Sequence, residues 1–206
     1  LQTGAAFLPM TLLIGVGSIF AGALTKRFSE RQVLAVGPLI AGLGFAACAL
    51  PGTDTRYLTD WLPAVVLIGI GLTLCVAPLT TVVMNAVDDD RAGVASGVNN
   101  TAARLAGVLA IALLTAVAVS AFSSSLEGRL QEAAVYEDVR QQLVAQSAML
   151  AELNVPEYTE NAAGIGAMID QSYVDAFRQI ALSCALAAFL SAAISWFTLR
   201  PTRVLS

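Results

Sequence analysis

The chain has no histidine and only three cysteines, Cys48, Cys75 and Cys184, each alone in a hydrophobic window. That excludes a zinc centre and a disulfide framework, and leaves the cysteines as small packing residues in helices. Charge is scarce: 13% of residues carry it, against about 25% in soluble domains. No basic tract is present, so nucleic acid is excluded as a partner. No carboxylate stands in the middle of a long uncharged run. No paired buried carboxylates and no serine in a nucleophile setting occur either, so the residues point to no enzyme, with no catalytic residue, metal or cofactor site. The first residue is Leu1 rather than Met, and no signal-peptide pattern precedes the first hydrophobic run. The chain therefore reads as a piece of something longer.

What the chain has is hydrophobic length. Of its 206 residues 57% are hydrophobic, and the charges gather in short runs between uncharged windows. A bilayer crossing takes about 20 such residues. Spans are expected at roughly 5–24, 33–50, 62–84, 92–122 and 173–199. Pro51-Gly52 ends the second. Pro78 is expected to kink the third, because it lacks the helical N–H and its ring crowds the preceding turn. Tyr57 and Trp61 read as interface anchors. Asp88, Asp89 and Asp90 are placed to cap the fourth helix, where its dipole favours negative charge. That helix, at about 1.5 Å per residue, is roughly 45 Å long, so its first turns protrude or lie at the interface.

Residues 123–172 differ. They are polar and acidic, with Ser124 and Glu127 reading as a capping box and Leu126, Leu130 and Ala134 recurring every four residues. An amphipathic helix to about 153 is expected, broken at Asn154-Val155-Pro156, with Gly164 and Gly166 as a second loose point. The segment is too long for a plain connection and is expected to form a small helical cap outside the membrane. Five spans put the termini on opposite sides. With Lys26, Arg27 and Arg31 in the cytoplasm, Arg91, Arg200 and Arg203 fall there too and the short loops obey the positive-inside rule.

The most informative stretch opens the fourth span. Gly93 and Gly97 are four apart with Ser96 beside them, a smooth strip on which another helix backbone packs closely. Asn99, Asn100 and Thr101 follow, with Asn100 and Arg104 on one face at i, i+4 and Gly107 beyond. Polar groups this close to hydrocarbon are costly unless they face protein or water. The helix is therefore expected inside a bundle that opens and closes. Arg104 lines the cytoplasmic side of a path or pairs with an acid elsewhere in a longer protein, or else it snorkels to the interface and anchors the helix. Asp175 and Arg178 read as a pair starting the last helix near the outer interface.

Two of these segments carry a resemblance. Gly22, Leu24, Arg27 and Arg31 match the loop signature Gly-x-Leu-Ala-Asp-Arg-x-Gly-x-Arg of the major facilitator superfamily. Lys26 stands where the family has Asp and Ser29 where it has Gly, which reverses the sign at the family's gate latch. Residues 91–107 resemble the penultimate helix of the fourteen-span drug:proton antiporter group in that superfamily, and residues 2–9 and 173–178 resemble the starts of two others.

The resemblance implies an all-α membrane protein. It would hold the last five transmembrane helices of a major-facilitator-type bundle, with an extracytoplasmic helical loop, in the bacterial cytoplasmic membrane. Implied partners are membrane lipid, the missing N-terminal transmembrane half and a lipophilic small-molecule substrate exported in exchange for protons. Gly22, Arg27 and Arg31 would form the gating loop. Gly93, Gly97, Asn99, Asn100, Arg104 and Gly107 would serve helix packing and gating. The other class of function is a self-contained five-span scaffold or sensor whose 123–172 loop binds a partner.

Overall fold

A computed structural model describes residues 8–24, 28–85, 87–133, 135–147 and 162–199. Six α-helices make up most of them: α1 (Leu8–Leu24), α2 (Glu30–Cys48), α3 (Leu62–Asn85), α4 (Ala92–Glu132), α5 (Glu137–Ser147) and α6 (Ala162–Thr198). A π-helical turn over Tyr57–Trp61 leads into α3, and a 3-10 turn over Asp89–Arg91 leads into α4. There is no strand among the described residues, and the architecture is all-α. Among the described residues four helical stretches are long and apolar enough to cross a membrane: Glu30–Cys48, Tyr57–Val83, Ala92–Glu132 and Ala162–Thr198. The 17-residue α1 adds a shorter apolar one. The chain is a multi-pass membrane protein.

The helices do not pack in chain order. α1 lies on α3, α3 on α2, α2 on α6, and α6 on α4. Small residues set the tightest contact, between α2 and α3. A Cβ on Gly71 would meet the Ala41 Cβ and the Gly37 carbonyl oxygen at 2.7 Å, and the Ala41 backbone nitrogen closer still. A Cβ on Gly44 would lie 2.9 Å from the Ala64 carbonyl oxygen. Gly37, Ala41 and Gly44 thus form one seam at i, i+4, i+7, facing Ala64, Ile68 and Gly71 at the same spacing. On its other side α2 receives the ring of Phe189 from α6 over Gly42. Thr73, buried in α3, donates to its own helix at Gly69 O (2.7 Å), with Leu13 O of α1 at 3.2 Å.

Local signals fix several ends. Ser29 caps α2: its hydroxyl accepts from Gln32 N, and the Gln32 side chain accepts from Ser29 N. Serine at the position where the loop signature has glycine therefore has a local use. Pro78 lies fully buried within α3, which runs through it from Leu62 to Asn85. The aspartates before α4 do not cap it as expected. The capping position falls on Arg91, with no side-chain bond, because the aspartates are taken up by the 3-10 turn and its approach.

The outer region departs most from expectation. α4 continues ten residues past 122 without a break, to Glu132, and is 41 residues or roughly 60 Å long. Ser124 is mid-helix and starts no capping box. α6 begins at Ala162, so Gly164 and Gly166 are helical rather than loose, and Asp175 and Arg178 lie mid-helix rather than at its start. The amphipathic helix expected to reach about 153 is two elements, the end of α4 and α5, parted at 133–136. The Asn154-Val155-Pro156 break lies outside the described residues. The cap is thus two helical extensions with α5 laid against them. Its core is Phe122, Leu126, Leu130, Val139, Leu143, Ile165, Ile169 and Ala176, with Tyr173 packed on it. Phe122 and Tyr173 stack with centroids 4.4 Å apart, and the Ser123 and Ser147 hydroxyls are 2.7 Å apart. At the start of α5 the Gln141 amide and the Arg140 guanidinium hold the Glu137 carboxyl below its usual range.

Candidate functional site: an open face on the fourth helix

On α4 the buried residues are Ala118, Phe122, Leu126 and Leu130, one stripe at four-residue spacing and all in the outer part. The same side of the helix, followed inward at alternating three- and four-residue steps, carries Ile111, Gly107, Arg104, Asn100, Gly97 and Gly93. A Cβ added at Gly93, Gly97 or Gly107 meets nothing within 4 Å. Asn100 and Arg104 are exposed, and Val94, Val98, Leu105 and Val108 around them are each at least 60% exposed. Asn99 is half-buried, as are Ala92 and Ala95 at three- and four-residue spacing before it. Thr101 satisfies its hydroxyl on its own helix at Gly97 O (2.8 Å). Gly93, Gly97, Asn100, Arg104 and Gly107 share one side of the helix, with Asn99 off it, and nothing among the described residues covers that side.

At the outer end α4 and α6 are joined by charge. Asp175 Oδ2 accepts from Arg129 Nη2 and from the Ser125 hydroxyl, both at 2.7 Å. Arg178 lies 3.4 Å from Asp175 Oδ1 and donates through Nε to the Ala49 carbonyl at the end of α2 (2.9 Å). The expected pair therefore exists, but its weight lies elsewhere: Asp175 belongs chiefly to Arg129, and Arg178 ties α6 to α2. Sequence reasoning missed Ser125, Arg129 and Ala49. Arg129 was visible as one of few bases in an acidic region, but a partner 46 positions away leaves no local trace. Below this brace a wedge of about 770 Å³ opens between α4 and α6, floored by Leu113, Ala116 and Val117 and edged by Asp175, Arg178 and Gln179.

The brace makes a modest prediction. Asp175→Asn keeps the shape and removes the charge. The Arg129–Asp175 pair is about one-third exposed on each side. Solvent screening keeps the expected loss to about 1 kcal/mol, or 2–4 °C in the thermal midpoint of the micellar protein. An unchanged midpoint would mean that the outer ends of α4 and α6 are held by the apolar cap alone.

Gly22 lies in α1, Arg27 lies outside the described residues, and Arg31, in the first turn of α2, stands over the ring of Trp196 near the end of α6, 4.2 Å from its centroid. Among the described residues no cluster of histidine, cysteine, aspartate or glutamate is suited to a metal.

The chain is 36% identical over 127 residues to Puromycin resistance protein pur8 of Streptomyces alboniger, covering 60% of this chain and 25% of that protein. It is 31% identical over 144 residues to Multidrug resistance protein Stp of Mycobacterium tuberculosis, covering 70% and 26%. It is 35% identical over 125 residues to Cephamycin export protein CmcT of Amycolatopsis lactamdurans, covering 60% and 26%. Those alignments span about a quarter of each relative's length. The profile of the Major Facilitator Superfamily matches residues 1–111, more than half of the chain and all of α1 to α3. On that match the chain belongs to the major facilitator superfamily, a family of transporters rather than enzymes.

Proposed function

We propose that residues 1–206 are the C-terminal portion of a drug efflux transporter of the fourteen-span antiporter group, set in a bacterial cytoplasmic membrane. It exports lipophilic or amphipathic small molecules in exchange for protons by alternating access. The observation that carries the proposal is the open face of α4. Asn100 and Arg104 cannot rest against lipid at the cost a buried charge meets there, so another part of the protein or an aqueous path must cover them. Gly93, Gly97 and Gly107 let a second helix come close, and a contact made of backbone on small residues can part and re-form. The N-terminal transmembrane portion is the partner that fits. Resistance and export proteins among the relatives support the direction of transport and the class of cargo. The largely apolar side chains of this part suit an apolar cargo.

The scaffold reading needs the outer cap to stand by itself. Phe122, Tyr173 and Ala176, at or beyond the limits of 123–172, complete the cap core. The cap therefore depends on the membrane helices, which weighs against a separate partner-binding module.

The test is ethidium efflux from a pump-deficient bacterial host expressing the transporter with this chain as its C-terminal portion. Gly97→Leu is expected to lower efflux at least tenfold at unchanged membrane abundance, and an ionophore that collapses the proton gradient to stop it. The 1–206 chain alone should move nothing. Transport by that chain alone, or full efflux by Gly97→Leu, overturns the proposal.

A further inference from the structure

We propose that Arg31 and Trp196 form a binding site for the phosphate headgroup of an anionic phospholipid in the inner leaflet. The proposal needs only that the chain spans a membrane with Arg31 on the cytoplasmic side. It does not depend on what, if anything, the protein transports.

Arg31 lies in the first turn of α2, and its guanidinium carbon stands over the Trp196 ring, 4.2 Å from the centroid. Its Nε is shut from solvent and has no hydrogen-bond partner among the described residues, which leaves the Nη nitrogens to meet an oxyanion. The salt bridges of the described residues, Arg129–Asp175, Arg140–Glu137 and Arg178–Asp175, leave it out. A guanidinium has five N–H donors in a planar fork that matches two oxygens of a phosphate. Here the ring holds the guanidinium in place, so less freedom is lost when an oxyanion docks. The surroundings select a lipid over a free anion. Trp196 is 45% exposed, Phe28 is also exposed, and Leu186, Leu190, Ile194 and Phe197 continue along α6 as an exposed apolar stripe on which acyl chains can lie.

The chain has two tryptophans, Trp61 and Trp196. Trp61→Phe leaves Trp196 as the sole fluorophore, and the purified chain goes into vesicles doped with phospholipid brominated on its acyl chains. Brominated phosphatidylglycerol is expected to quench Trp196 at a mole fraction at least fivefold lower than brominated phosphatidylcholine. Soluble glycerol phosphate or inorganic phosphate at millimolar concentration should not reverse it. Arg31→Lys keeps the charge and loses the stacked fork, so it is expected to remove most of that preference. Equal quenching by the two lipids overturns the proposal. So does an undiminished preference in Arg31→Lys, which would reduce the effect to general surface charge. Reversal by free phosphate would assign the site to a soluble anion instead.

Discussion

Gly71→Leu is expected to destabilise the chain by roughly 3 kcal/mol or more, enough to lose most folded protein at growth temperature. Two effects oppose each other. Leaving glycine improves helix propensity by about 1 kcal/mol. Against that, the first added carbon meets the Ala41 nitrogen and Cβ and the Gly37 carbonyl oxygen of α2. These are backbone or backbone-anchored atoms that cannot rotate aside, so the two helices must separate and the seam from Gly37 to Gly44 loses contact along its length. The measurement is thermal unfolding of the micellar chain with circular dichroism. Gly97→Leu is the control: its Cβ meets nothing within 4 Å, so the isolated chain should stay within about 1 kcal/mol of the parent. Equal stability of the two variants would mean that α2 and α3 are not held by the close approach.

The second large effect is expected at Phe122→Ala, at about 3–5 kcal/mol. Phe122 is fully buried, stacks on Tyr173 and stands at the inner edge of the cap core. Removing the ring opens a cavity between two helices that cannot collapse onto it, since both continue as rigid rods on either side. Amide exchange is the sensitive readout. The amides of α5 should exchange with fast kinetics, because α5 is held to α4 mainly through Val139 and Leu143 in that core. Exchange in the α2–α3 seam should be unchanged. Protection of α5 at the parent level would show that the cap is held by residues other than this cluster.

Burial explains why some elements were legible in the sequence and others were not. Uncharged windows place α2 and α3 within a few residues, because a bilayer crossing is a compositional demand that each segment meets by itself. The outer cap follows a different rule. Residues 123–132 and 162–172 are polar on one side only, and their helices persist because the other side is buried among Leu126, Leu130, Ile165 and Ile169. Where a helix stops in water is decided by what its apolar stripe finds to pack on, so α4 runs about ten residues past 122 and α6 starts about ten before 173.

By itself the sequence determined the class of the molecule, its membrane-crossing helices and the small, polar face on α4, since all three rest on composition and on the 3.6-residue period. The tertiary structure decided which partners those features have. Gly37 and Gly71 meet each other and are shut, while Gly93, Gly97 and Gly107, which look the same in sequence, face open space. Asp175 goes to Arg129 rather than mainly to its neighbour Arg178. Arg31 goes to Trp196, from the opposite end of the chain. Each of these is a pairing between residues far apart in the chain, and such pairings are fixed only when one helix is laid against another.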